Sequence, residues 1–130
     1  TNAMAVQLSS ASDVDQALIN ETERMVVIRW GYDEDPLCQE ADRIMEAIEN
    51  ECINMAVFCT VDLKEVPDFI VEHKLYDPYT IMFFYKRKPR NIFTGTSTEK
   101  YLDALFPLSE KALARVVEET YKNLVSKSTR

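Results

Sequence analysis

The chain has 130 residues, 46% of them hydrophobic, which supplies one domain with a buried core and leaves too little sequence for two. Its 22 acidic residues outnumber 15 lysines and arginines, for a formal net charge of -7; that excludes a broad, non-specific grip on nucleic-acid phosphate but leaves room for a local basic patch. Cys38, Cys52 and Cys59 form no closely spaced metal-binding pattern and His73 is the single histidine, so neither a structural zinc site nor a cofactor is expected.

No apolar run approaches the roughly 18 to 20 residues needed to cross a bilayer, so the expectation is a soluble, intracellular protein with free thiols. Residues 1–4, Thr-Asn-Ala-Met, read as a cloning scar, and residues 1–7 as an N-terminal extension of a single domain over 8–126. The first element is "SDVDQALIN" (12–20), a helix that Ser12 caps with Asp15 at the reciprocal position and Val14, Ala17 and Leu18 on one face. "RMVVIRWG" (24–31) follows as a strand whose Met25–Ile28 run suggests burial on both faces. Asp35 then fits an N-cap and Pro36 the first helical position, with Leu37, Ala41, Ile44, Met45 and Ile48 at helical spacing.

"MAVFCTVD" (55–62) is a second buried strand, rich in β-branched and aromatic residues and expected near the middle of a sheet. "EVPDFIVEHKL" (65–75) predicts a short helix from Pro67 that turns Phe69 and Ile70 inward, with His73 near its end. "TIMFFYKRKPRNIFTG" (80–95) predicts an apolar strand, a basic turn and a returning strand, with Gly95 bending the chain at its end. Residues 97–108 read as a packed loop or an extra turn through Leu102, Leu105 and Phe106. From Ser109, a cap, a last helix carries Leu113, Val116, Val117, Tyr121 and Leu124 on one stripe. The sum is an α/β fold with a central mixed sheet flanked by helices on both faces.

A strand running into an acidic turn and a helix N-terminus resembles the thioredoxin fold, which places a Cys-x-x-Cys at this junction. In "DPLC" Asp35 stands at the first cysteine's position and Cys38 at the second's. Thiol–disulfide exchange begins with thiolate attack on sulfur, which Asp35 cannot perform. The helix start favours a Cys38 thiolate, while Asp33, Glu34 and Asp35 oppose it. Asp35 and Cys38 therefore read as a vestigial redox position, Cys38 as a semi-buried packing residue, and no residue is assigned a catalytic role.

Longer stretches narrow the resemblance. "VVIRWGYDEDPLC" (26–38), "VDLKEVPDF" (61–69) and "KLYDPYTIMFFYKRK" (74–88), with "DVDQALI" (13–19), are similar to the Dim family of thioredoxin-like spliceosomal proteins over roughly residues 8–95. The resemblance implies a non-catalytic nuclear component of the spliceosomal tri-snRNP that docks protein partners and supports pre-mRNA splicing, without a small-molecule substrate or a membrane. Two other readings stay open: a thiol-dependent oxidoreductase acting through Cys38 alone, and a redox-inert adaptor outside splicing. Tyr79 stands where the family usually has a cysteine proposed to pair with the counterpart of Cys38, so that bridge is excluded here. Residues 96–107 look rearranged, and the chain stops shortly after its last helix where members usually carry a further tail.

Tyr32, Tyr76 and Tyr79, at turns and element ends, together with Pro78, are the expected partner-binding residues, with Trp30 partly buried. Pro78, one residue further from the strand's threonine than the cis proline of thioredoxins, is expected to be trans. Lys86, Arg87, Lys88 and Arg90 form the most basic run, either a solvated hairpin tip or a contact for RNA or an acidic partner.

Overall fold

Alternation along the central strands divides the molecule into two apolar layers. The computed structural model describes residues 5–128, so the reading of residues 1–4 as a cloning scar lies outside the described residues. In chain order the elements are β1 (Val6–Gln7), α1 (Ala11–Asn20), β2 (Met25–Gly31), α2 (Pro36–Ile48) and β3 (Ala56–Asp62). A 3-10 turn (Pro67–Phe69) then leads into α3 (Ile70–His73), β4 (Thr80–Tyr85), β5 (Lys88–Arg90), β6 (Ile92–Phe93), β7 (Thr98–Glu99), β8 (Leu102–Asp103) and α4 (Glu110–Ser128). The main sheet has the order β1-β3-β2-β4-β5, with β8 also pairing with β4. β1 and β2 run parallel to β3, and β4 is antiparallel to β2 and β5.

Side chains two apart point to the same face of a strand. Met25, Val27, Phe58, Ile81 and Phe83 pack under Ala41, Ile44, Met45 and Ile48 of α2 and Leu113, Val116 and Val117 of α4. Val26, Ile28, Trp30, Cys59, Val61 and Phe84 pack on the other face with Val14 of α1, Leu75, and the partly buried Phe69 and Ile70. Each large side chain so buried contributes about 1.5–3 kcal/mol of hydrophobic stabilisation. The expected mixed sheet, helices on both faces, is the architecture observed.

Three local expectations change. Ser10, not Ser12, caps α1: its Oγ accepts from the Asp13 N–H at 3.0 Å, and Asp13 Oδ2 accepts from the Ser9 N–H at 3.0 Å. The same Ser-x-x-Asp spacing occurs twice, and the earlier pair wins because it adds Ala11 and Ser12 to the helix. In α2, Leu37 is 50% exposed and Cys38 takes the inward place, because the buried stripe follows Cys38, Ala41, Met45 and Ile48 rather than Leu37. Leu105 is 90% exposed, while Leu102 is buried where β8 pairs beside β4.

At the N-terminal end, Val6 and Gln7 are part of the sheet, opposite Cys59 and Thr60, and two residues are too few to show a period in sequence. Beyond β4, Lys86 and Arg87 form a two-residue hairpin loop with φ of 52° and 73°. Positive φ at both positions is the turn geometry that matches strand twist, usually supplied by Asn-Gly. The returning segment splits into β5 and β6, and Gly95, at φ 98°, lies in the turn that folds β7 back onto β6.

Candidate functional site at the strand-to-helix junction

The carboxyl end of β2 meets the start of α2 over a buried guanidinium. Arg29 occupies the sheet face of Met25 and Val27, where an apolar residue belongs, and is fully buried. Its Nε and Nη2 donate to the two carboxylate oxygens of Asp42 at 2.8 Å each, Nη2 also donates to Asp33 Oδ1 at 2.8 Å, and Nη1 donates to the Val61 carbonyl at 3.2 Å. Burial opposes the guanidinium charge, but the Asp42 and Asp33 carboxylates outweigh it and hold Arg29 firmly protonated. Asp33 Oδ2 accepts from Gln7 Nε2 at 2.7 Å, so one ion-pair network ties β1, β2, the acidic turn and α2 together. The sequence reading missed this network. Its signal was an arginine inside an apolar strand, with acids four residues on and on the inward side of the next helix.

Asp35 is the N-cap: its Oδ1 accepts from the Leu37 N–H at 2.7 Å, and Pro36 needs no acceptor. Cys38, one turn in, is fully buried. Its Sγ accepts from the Tyr32 N–H at 3.3 Å and its S–H donates to the Pro78 carbonyl at 3.3 Å, so both faces of the sulfur are used. Burial pushes the Cys38 thiol up; the Tyr32 N–H and the Arg29 charge pull it back, and the Asp35 and Asp42 carboxylates push it further up. Burial and the net carboxylate surroundings thus disfavour the thiolate, the form that attacks sulfur.

All three cysteines are free and buried. Cys52 lies beyond the far end of the 13-residue α2, about 20 Å of helix away from the first turn, and Cys59 faces the opposite layer. Burial pushes the Cys52 thiol up to about 11 and the Cys59 thiol up to about 12. Gly31 closes the junction: a Cβ there would sit 2.6 Å from Cys38 Sγ and 3.2 Å from both Arg29 Nη1 and the Pro78 carbonyl oxygen.

Three carboxylates, from Asp33, Asp62 and Glu65, bring ligand atoms within 4.8 Å of one another, the one grouping of that kind among the described residues. Asp33 is engaged by Arg29 and Gln7, and Asp62 Oδ1 accepts from the Lys64 N–H at 3.0 Å.

Of the four expected partner-binding residues, three reach the surface. Tyr32 is 41% exposed, Tyr76 is 72% exposed, and Pro78 is exposed, with no cis peptide bond among the described residues. Tyr79 is a correction: it is buried at 5% exposure, because β8 and the sheet enclose its ring at the start of β4. Burial, then the Asp103 carboxylate and Cys38, push its phenol up. Trp30 is also fully buried, 5.3 Å from the Phe69 ring and 5.8 Å from that of His73, which places His73 in an aromatic cluster. Tyr32 on the acidic turn and Leu37 at the start of α2 are thus exposed at the junction, and Tyr76 is exposed two residues before Pro78, whose carbonyl meets Cys38. At the opposite end of β4, Lys86, Arg87 and Lys88 are exposed, whereas Arg90 is half-buried with its guanidinium 5.7 Å from the Tyr85 ring centroid.

These features define a thioredoxin fold whose junction carries Asp35 and Cys38 in place of a cysteine pair. The fold matches a mutant thioredoxin from Halobacterium salinarum with a TM-score of 0.71 at 14% identity, covering 91% of each chain. The family model described as "Mitosis protein DIM1" matches residues 4–128, and the chain belongs to that family. It is 44% identical over 104 residues to the protein named mitosis protein dim1 of Schizosaccharomyces pombe, covering 80% of this chain and 72% of the relative. It is 36% identical over 115 residues to the spliceosomal protein DIB1 of Eremothecium gossypii, covering 88% of this chain and 80% of the relative.

Proposed function

We propose that the protein is a non-catalytic, nuclear, thioredoxin-like component of the spliceosomal tri-snRNP that docks protein partners and supports pre-mRNA splicing. The observation that carries this reading is the junction itself: the nucleophile's position is filled by a helix-capping carboxylate, and Cys38 is buried, doubly hydrogen-bonded and without a nearby second thiol. Membership of a family that includes a protein named spliceosomal points the same way. Docking uses Tyr32 and Leu37, on the acidic turn and the start of α2 that the Arg29 network immobilises, with Tyr76 and Pro78 on the segment before β4, which the Cys38 thiol ties to the junction through the Pro78 carbonyl. Aromatic side chains on a rigid base lose little entropy on binding and are frequent energetic anchors.

The test is native affinity purification of the tagged chain from nuclei of its source, with the partners identified. Co-purification of spliceosomal proteins, weakened by Tyr76→Ala, is expected. Stable recovery free of splicing proteins would refute the assignment.

A further inference from the structure

We infer that the groove between the basic hairpin and the carboxyl end of α4 binds single-stranded RNA, holding a phosphate on Arg90 and Lys127 and stacking a base on Phe93. The choice of RNA over other polyanions rests on the splicing reading above; the groove itself does not. Its volume is about 530 Å³, and its lining includes Arg90, Asn91, Phe93, Asn123 and Lys127. Among the described residues no carboxylate lines it, whereas three other grooves have at least one each, in a chain with 22 acidic residues.

The cations here are free of carboxylate partners among the described residues, although Lys86 and Arg90 lie 5.5 and 5.7 Å from the Tyr85 ring centroid. Arg24, Arg29, Arg43 and Lys122 are each held by carboxylates, but Lys86, Arg87, Lys88, Arg90 and Lys127 make no ion pair among the described residues. Arg90 is also pre-positioned: its Nε donates to the Tyr85 carbonyl at 3.1 Å, and its terminal nitrogens make no hydrogen bond among the described residues. Orienting a guanidinium beforehand lowers the entropy lost when it meets a phosphate.

The remaining lining is compatible with a nucleobase. Asn91 and Asn123 each offer a donor and an acceptor, which can pair with the mixed edges of a nucleobase. Phe93 is half-buried, its backbone N–H fixed by Thr120 Oγ1 at 2.9 Å, and such a held ring can stack a base that is not already stacked in a duplex. Lys86, Arg87 and Lys88 extend the positive track beyond the groove, along which a strand's backbone would run.

The test is fluorescence anisotropy of the full chain with a labelled twelve-nucleotide oligouridylate, across a salt series. Binding that weakens with salt is expected. Lys127→Gln should reduce the log–log salt slope by about 0.7, one phosphate contact on a single strand. Phe93→Leu should weaken binding about fivefold or more at unchanged slope, through lost stacking. Asn123→Ala, at a half-buried position on α4, gives a second loss if Phe93→Leu unfolds, and Lys64→Gln, beyond β3, should change nothing. Absence of salt-sensitive binding, or equal loss with Lys64→Gln, would overturn the assignment. So would an oligoglutamate of equal charge competing as well as the RNA, with Phe93→Leu and Asn123→Ala silent; the groove would then be a site for acidic peptide. Co-purification of splicing proteins without RNA binding would remove the groove alone, and RNA binding without co-purification would remove the splicing reading alone.

Discussion

Replacing Asp42 with alanine should cost more stability than replacing the arginine it serves. Arg29 is completely buried and makes four hydrogen bonds, two of them to Asp42. Asp42→Ala deletes both and strands a guanidinium that has only Asp33 and one carbonyl left. Breaking a buried ion pair from one side costs about 3–5 kcal/mol. Retention of Asp33 places Asp42→Ala near the lower end, about 3 kcal/mol. Arg29→Met instead leaves Asp33 and Asp42, whose side chains are 34% and 30% exposed and can hydrate, beside an apolar group of similar volume. That change should cost about 1–2 kcal/mol, below Asp42→Ala. Equilibrium urea unfolding followed by the fluorescence of Trp30, the single tryptophan, measures both. If Arg29→Met proves the more damaging of the two, or Asp42→Ala costs under about 1 kcal/mol, the isolated-charge reasoning fails.

Gly31→Ala should destabilise by about 2–3 kcal/mol through overpacking against Cys38 Sγ, with part of the loss recovered in a Cys38→Ala background; a double-mutant cycle with no coupling would contradict the 2.6 Å approach. Glu49, buried at the end of α2 with Oε1 unpartnered, has its carboxyl pushed up by burial and then by the Glu46 charge. A carboxyl with a raised folded pKa contributes stability while protonated, below its unfolded range, and loses it as pH rises through the folded value. Glu49→Gln should therefore stabilise by about 1 kcal/mol at pH 8 and by less at pH 4, and a larger gain at pH 4 in chemical denaturation would reverse the sign. Replacing Lys86-Arg87 with Asn-Gly should raise stability by about 1–2 kcal/mol, since both positions hold positive φ; an unchanged or lower thermal midpoint would argue against backbone strain there.

Elements with strong period and clear caps were legible in the sequence. Asp35-Pro36 opens α2, Ser109 caps α4 through the Ala112 N–H at 3.0 Å, and the apolar runs of β2, β3 and β4 are the sheet. Asp35 and Cys38 fell at the junction where the spacing put them. What escaped was set by tertiary contacts. β1 and β8 are two residues each and exist because β3 and β4 offer free edges. Tyr79, next to a turn and a strand, reads as a surface residue until β8 covers it. Arg29 looked like an interruption in an apolar strand, yet its carboxylate partners come from a turn and a helix whose orientation no local pattern states.

The central claim is that the junction docks partners and does not exchange disulfides, and disulfide turnover tests it most directly. Reduction of insulin by dithiothreitol, with and without the chain, should run at the uncatalysed rate, and alkylation of Cys38 should await opening of the fold because its sulfur is fully buried. Multiple-turnover reduction that disappears on Cys38→Ala would contradict the account.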